Sequence, residues 1–416
     1  MGDISKRLAA LTPRQQRLLE LRLKKEGLSA DPAPQEVAGA AGVIEGDEGL
    51  YAEADFDEWK KRPAPRGLDF SLYFFSDDGS KTSDDKYRLL LESARFADAH
   101  GFRAVWTPER HFQDFGGLYP NPSILSAALA VITERVQIRA GSVALPLHHP
   151  IRTAEEWAVV DNLSKGRVAV SIASGWHPTD FVFAPQNYED RKQVMFDYLE
   201  TIQRLWSGEP VKFKGAGDSE VEVRILPRPI QPRLPIWITT AGSAQTWIRA
   251  GEVGANILAA LVGYSLEDLA ERIRLYREAR AGGGHDPARG QVTVMAHTFL
   301  GDDNQEVKEK VRAPLCHYLR SYFNQFADVG YDAEGVTEED KNTIVAKAFD
   351  HYFATGTLIG TPNKCSRLVD RLIETGVDEI ACLIDFGLDI DSVMGGLRRL
   401  DEVRAHYAHK STAGSQ

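Results

Sequence analysis

The sequence predicts an α/β fold: a (β/α)8 TIM barrel with insertions, preceded by a short helix and a flexible linker. Three observations predict it. From Gly67 onward, short runs rich in β-branched and aromatic residues alternate with helical stretches of ten to twenty residues, the pattern of repeated βα units on a parallel sheet. Eight such units favour a closed barrel over an open sheet. The 416-residue length is too great for one small module, while a barrel of about 250 residues with insertions absorbs most of it. A composition of 43% hydrophobic and 26% charged residues supplies a sizeable core and excludes collagen-like, coiled-coil and wholly disordered chains.

Residues 1–27 form a basic segment of net charge +4, with a helix start at Thr12, Pro13 in the first helical position and Gln15 three residues after the cap. Leu18, Leu19, Leu21 and Leu23 follow, giving a short leucine-rich helix. Residues 28–66 carry −5 and are rich in Ala, Gly, Pro and acid, with Tyr51, Phe56 and Trp59 as the few large apolar residues, so they read as a linker. Residues 67–416 hold the barrel. Its eight predicted strands are Leu68 to Phe75, Arg103 to Thr107, Val136 to Val143, Arg167 to Ala173, Pro235 to Thr240, Ala255 to Ala259, Gln291 to Leu300 and Glu379 to Ile384. The Pro-rich stretch Gly208 to Leu234 and the mostly helical excursion from Asp303 to Gly360 interrupt the spacing and read as insertions.

Several function classes drop out. A net charge of −11 gives no positive field to attract phosphate backbones or anionic lipid, so neither nucleic acid nor a membrane surface is expected as a partner. No dinucleotide fingerprint follows the first strand: Gly215 and Gly217 form only a fragment of one, and Gly282 to Gly284 follow a helix, so both read as turns. There is no P-loop lysine motif and no H-E-x-x-H pair, and no metal is expected. Cys316, Cys365 and Cys382 are dispersed and odd in number, which suits buried thiols in a reducing compartment. The start lacks an apolar h-region, and no stretch of about 18 uncharged apolar residues occurs, so a soluble, cytoplasmic protein is expected.

Barrel enzymes build their sites where strands end. The second strand runs into Trp106-Thr107-Pro108-Glu109-Arg110-His111-Phe112, which brings a carboxylate, a guanidinium and an imidazole to its mouth. His111 is the best titratable candidate, because imidazole both accepts and donates protons near neutral pH. A capping or core histidine is the alternative, and Glu109 could simply pair with Arg110. The third strand ends in Ala140-Gly141-Ser142-Val143 and continues through Leu145, Pro146, His148, His149 and Arg152, where at least one histidine suits a helix cap. The fourth ends in Ala173-Ser174-Gly175-Trp176-His177-Pro178. The fifth ends in Thr239-Thr240-Ala241-Gly242-Ser243 and opens directly into a helix. Small residues there let backbone N–H groups approach a phosphate, or form an ordinary turn capped by Ser243. Arg191 could add a bidentate charge to the same phosphate or lie solvated.

Together these strand ends resemble the bacterial luciferase-like family of flavin-dependent monooxygenases, from about Leu68 to Tyr407. The resemblance rests on Trp106 to Phe112, Leu145-Pro146 to Arg152, Ser164-Lys165-Gly166-Arg167 and Gly360-Thr361-Pro362. Two departures stand out. Arg110 occupies the place of the first histidine in the family's E-H-H-F, which puts light emission in doubt, and Ala173-Ser174 replaces a cysteine and a phosphate-binding arginine. The stretches Ala173 to Pro178 and Asn187 to Arg191 look most like the subgroup associated with nonribosomal peptide and polyketide biosynthesis. Leu11 to Leu19 resembles interdomain segments of peptide synthetases; a surface helix packed on the barrel or a second subunit explains it equally well.

The resemblance implies an FMN-dependent monooxygenase that uses reduced FMN (FMNH2) and O2 to oxygenate an acyl or aminoacyl intermediate bound to an acyl or peptidyl carrier protein. It implies a flavin reductase as partner and a homodimer. The implied catalytic residues are His111, Arg110 and Glu109. Implied cofactor contacts are Gly141, Ser142, Ser174, Gly175, Trp176, Arg191, Thr240, Ala241, Gly242 and Ser243, with a non-proline cis peptide at Gly141-Ser142. Two competitors fit the same residues: a deazaflavin-dependent oxidoreductase on the same barrel, and a non-catalytic flavin-binding or docking protein.

Overall fold

The structure is a computed structural model and describes residues 61, 67–75, 85–175, 177–240, 242–262, 264–327 and 338–408. The basic helix and nearly all of the linker expected ahead of the barrel lie outside these residues, as do Trp176 and Ala241.

The strands, in chain order, are β1 (Asp69–Tyr73), β2 (Ala104–Thr107), β3 (Gln137–Ala144), β4 (Val168–Ala173), β5 (Val211–Lys214), β6 (Glu220–Val223), β7 (Ile236–Thr240), β8 (Asn256–Ala260), β9 (Val292–Leu300), β10 (Leu358–Gly360) and β11 (Glu379–Leu383). Eight of them, β1-β2-β3-β4-β7-β8-β9-β11, pair in parallel, and the β11–β1 pairing closes the sheet into a barrel. All eight expected strands are present. Around them run α1 (Arg88–His100), α2 (Pro122–Ile132), α3 (Pro150–Ser164), α4 (Arg191–Ser207), α5 (Ala244–Glu252), α6 (Leu266–Gly282), α7 (Asn304–Ala327), α8 (Glu338–Thr355), α9 (Pro362–Thr375) and α10 (Ile390–Tyr407). Local chemistry sets several helix starts. Asn121 accepts from the Ser123 and Ile124 N–H groups with Pro122 behind it, Thr361 caps Lys364 ahead of Pro362, and Asp389 caps Ser392.

The Pro-rich insertion holds the antiparallel β5–β6 hairpin, with Gly215 and Gly217 in its connection, and the helical excursion consists of α7 and α8 followed by β10 on the end of β9. Among the described residues no helix is long and apolar enough to cross a membrane, and no group of His, Cys, Asp and Glu is placed to hold a metal ion. The three cysteines are free thiols; Cys365 and Cys382 are buried, which pushes both up to about 12.

Because neighbouring parallel strands are in register, side chains of one parity point into the barrel together. The centre of the barrel is charged and paired. Arg139 donates from Nη1 to both carboxylate oxygens of Glu379, at 2.9 and 2.8 Å, with its guanidinium 4.7 Å from the Trp106 ring centroid and 4.4 Å from that of Trp237. Ser71 donates to Glu379 at 2.6 Å, and the Trp106 indole N–H donates to Ser71 at 2.9 Å. Both partners are essentially inaccessible to water, so this layer is a floor beneath the strand ends.

Candidate active site

Above that floor, Tyr73 donates its hydroxyl to the Gly141 carbonyl, and the Gly141-Ser142 peptide is cis, as expected. A Cβ at Gly141 would sit 2.8 Å from the Tyr73 ring and 3.1 Å from Trp106, so no larger residue fits without displacing them. Ser142 and Ser171 both hydrogen-bond the Thr239 hydroxyl, the latter at 2.7 Å, joining the ends of β3, β4 and β7.

The chain leaving β2 carries the titratable cluster. Glu109 is 1% exposed, and its Oε1 accepts from His111 Nε2 at 2.8 Å and from His148 Nε2 at 2.6 Å, while Oε2 accepts the Ala144 N–H at 2.8 Å. Burial alone would raise its carboxyl, but the hydrogen bonds from His111, His148 and Ala144 outweigh it and hold Glu109 below its ordinary 4.5. Burial likewise pulls His148 down, and the Glu109 hydrogen bond and charge more than restore it, leaving it above 6.5. His111 packs edge-on against Phe183 at 4.8 Å, and Phe183 stacks on Phe112. Phe112 takes a left-handed backbone (φ 57°) and is 59% exposed, and with Val182 and Phe183 it forms an apolar patch beside the histidine.

These shifts give the cluster a pH window. Glu109, depressed in the fold, stabilises the protein above pH 4.5 and loses that contribution as pH falls through its lower folded value. His148, raised in the fold, stabilises below 6.5 and loses its contribution as pH rises through its higher folded value. Both are present together between pH 4.5 and 6.5. We therefore expect wild-type urea stability to decline more steeply outside that interval than the stability of Glu109→Gln; parallel curves would contradict it.

Arg110 does not pair with Glu109. It is buried and donates to Asp180 at 3.1 Å and to Gln113 at 2.7 Å, and Gln113 continues to His177 at 3.1 Å. The guanidinium thus ties the chain after β2 to the 3-10 turn Pro178–Phe183. Burial raises Asp180 despite Arg110. The second histidine of the His148-His149 pair performs the capping role: His149 Nδ1 accepts the Ile151 N–H at the start of α3.

The ends of β4 and β7 carry the small residues. Thr240 is buried, and its hydroxyl has no partner among the described residues. Gly242 has φ 100°, which glycine adopts freely, and a Cβ there would meet only the Tyr264 hydroxyl at 4.0 Å. Ser243 occupies the N-cap of α5 without a side-chain capping bond. Gly175 also has positive φ (69°) and lies close against Phe181; Ser174 donates to the Gly175 carbonyl at 3.3 Å. Arg191 is folded back, donating to the Tyr188 carbonyl at 2.8 Å with its guanidinium over that ring. An unsatisfied buried hydroxyl, open space at a left-handed glycine and an uncapped helix start fit a phosphate-bearing flavin.

Three residues were not singled out as site residues from the sequence. His148 joins Glu109, Asp180 balances Arg110, and His297 lies within β9, in register with Leu383 of β11. His297 Nδ1 meets the Tyr352 hydroxyl at 2.9 Å, its ring is edge-on to Tyr318 at 4.5 Å, and burial holds it uncharged by pulling its titration from 6.5 down to about 3. Tyr318 and Tyr352 come from α7 and α8, so the excursion packs over this side of the strand ends.

A family model described as Luciferase-like monooxygenase matches residues 68–379, most of the chain. The chain belongs to the luciferase-like monooxygenase family. This luciferase-like chain is 27% identical to the alkanal monooxygenase alpha chain of Photorhabdus luminescens over 329 residues, covering 75% of this chain and 88% of that one. It is 25% identical to the oxygenase component of the flavin-dependent trigonelline monooxygenase of Acinetobacter baylyi over 343 residues, covering 80% and 93%. Among solved structures, monooxygenase RslO1 from Streptomyces bottropensis superposes with a TM-score of 0.68 at 25% identity, covering 82% of this chain and all of that one.

Proposed function

We propose that this luciferase-like protein uses reduced FMN and O2 to oxygenate an acyl or aminoacyl group carried on an acyl or peptidyl carrier protein in natural-product biosynthesis. A flavin reductase supplies the reduced flavin; that a relative is named as an oxygenase component supports such a division of labour. The observation that carries the reading is the histidine pair held by one buried carboxylate at the barrel mouth, together with small residues suited to a phosphate at the ends of β4 and β7.

Bound reduced FMN supplies the electrons that activate O2, one oxygen atom going to substrate and the other leaving as water. Ser174, Gly175, Thr240, Gly242 and Ser243, with Ala241, Trp176 and Arg191, would hold its phosphate end, and Gly141 and Ser142 would lie beside its ring. Arg191 would have to leave Tyr188 to reach a phosphate. Glu109 orients His111, and His111 takes and returns protons at the reacting centre. Arg110, its charge offset by Asp180, fixes the loop that carries both. The packing of α7 and α8 over the strand ends excludes water.

Thr240→Val tests the phosphate assignment. Removing an unsatisfied buried hydroxyl should leave stability unchanged or slightly higher, yet weaken FMN about tenfold through one lost charge-assisted hydrogen bond. Riboflavin, lacking the phosphate, should bind both proteins alike; equal weakening of the two flavins would place the phosphate elsewhere.

The carrier-bound substrate draws support from the subgroup resemblance of Ala173 to Pro178 and Asn187 to Arg191, and from the apolar patch of Phe112, Val182 and Phe183 beside His111. A carrier-bound acyl group should react faster than the same group as a short free thioester, and deletion of residues 1–66 should raise the carrier concentration needed for half-maximal rate. Equal rates for tethered and free substrate would remove the carrier from the reading. For the homodimer, α2 and α3 lie side by side, joined by Ser123 to Glu156 at 2.9 Å, and expose Ile124, Val131, Val159 and Leu163, an apolar face suited to a second copy.

A further inference from the structure

We propose that His148 is a positioning residue for proton transfer: by pairing with the Glu109 charge, it fixes His111 as the tautomer that donates from Nε2 and keeps a bare Nδ1 for the reacting centre. The inference rests on the proton-handling role given to His111 above and adds a residue to it.

The argument begins at Glu109. Its carboxyl is ionised and can only accept, and both imidazoles approach it through Nε2, so both Nε2 atoms carry protons. One carboxylate balances one imidazolium. The two histidines compete for that charge, and their surroundings decide between them. His148 is 33% exposed, against 10% for His111, so it exchanges protons readily with water. It also feels Glu156 from α3, itself paired with Arg152. His111 has aromatic neighbours, Phe112 and Phe183. The other charged groups near the cluster are Asp180 and Arg110, which pair with each other, and His177, which joins them through Gln113. His148 therefore carries the proton, and a neutral His111 that donates from Nε2 presents Nδ1 as a lone pair.

Local chain chemistry makes His148 available for this. The cap of α3 needs only one histidine, and His149 supplies it. His148 closes the 3-10 turn Leu145–Leu147, its own N–H bonded to the Leu145 carbonyl at 3.1 Å, which leaves its ring to reach Glu109.

The test uses the full-length chain labelled with 15N-histidine, with long-range proton–nitrogen correlation spectra assigned by single histidine substitutions. In the wild type near pH 7.5, His111 should show a protonated Nε2 and an unprotonated Nδ1, and His148 should titrate above ordinary imidazole. In His148→Gln the His111 signature should change, to a mixed or doubly protonated ring at the same pH. With the reduced-flavin system, the acid limb of the pH–rate profile should move up by about one unit, because a neighbouring cation has been removed. A wild-type His111 protonated at Nδ1 overturns the proposal without any variant. So does a His148→Gln protein, folded by its melting curve, whose His111 signals and acid limb are unchanged. If the His111 signals respond but His111→Asn keeps full activity, the coupling stands and the proton-handling reading beneath it fails.

Discussion

Replacing His111 with asparagine is expected to slow product formation by about 100-fold or more while reduced-flavin binding stays close to wild type, the usual scale of general acid–base help. Asparagine has no basic nitrogen near neutral pH, and its amide matches the position of Nδ1 rather than the Nε2 that reaches Glu109. The fold should tolerate the change, because His111 touches Glu109 and aromatic rings at the mouth rather than the barrel core. Single-turnover reaction of the pre-reduced complex with O2 and substrate separates this from a binding defect. Glu109→Gln should cost less than His111→Asn if Glu109 only orients its neighbours. Wild-type turnover by His111→Asn would assign the histidine to structure.

The second large effect lies below the site. Glu379→Ala leaves the Arg139 guanidinium at the barrel centre without its carboxylate, and removing one partner of a buried pair typically costs about 3–5 kcal/mol. The tryptophans on either side of Arg139 cannot replace those two hydrogen bonds. Urea unfolding should show the loss, and the double substitution Arg139→Met with Glu379→Leu should regain most of it, because an apolar pair of similar volume leaves no unpaired charge. A loss below about 1 kcal/mol in Glu379→Ala would mean that water reaches the barrel centre.

The barrel was legible because its strands are buried on both faces and read as continuous apolar runs, such as Val168-Ala169-Val170 and Ile236-Trp237-Ile238. The β5–β6 hairpin escaped notice because Val-Lys-Phe-Lys and Glu-Val-Glu-Val are half exposed and sit in a Pro-rich stretch, and β10 has only three residues. At the site, strand-end position was enough to single out Glu109 and His111 and to place the cis Gly141-Ser142 bond through the family resemblance. Partner choice was not legible. Arg110 turns from the adjacent Glu109 to Asp180, 70 residues away, because Glu109 already has three donors. His148 and His149 look equivalent before Pro150, and only the fold shows which one caps α3 and which one reaches the carboxylate. Arg191 is a plausible phosphate ligand by position, yet its guanidinium folds over Tyr188.

The most direct measurement of the central claim is the mass of the product formed under isotopically heavy O2. Protein loaded with reduced FMN under anaerobic conditions would be mixed with heavy O2 and a panel of carrier-bound acyl and aminoacyl groups, and the intact carriers weighed. The account predicts one heavy oxygen atom in the product, dependent on reduced FMN and strongly reduced in His111→Asn. Oxygen drawn from water, or turnover that proceeds without O2 and only with a reduced deazaflavin, would contradict it.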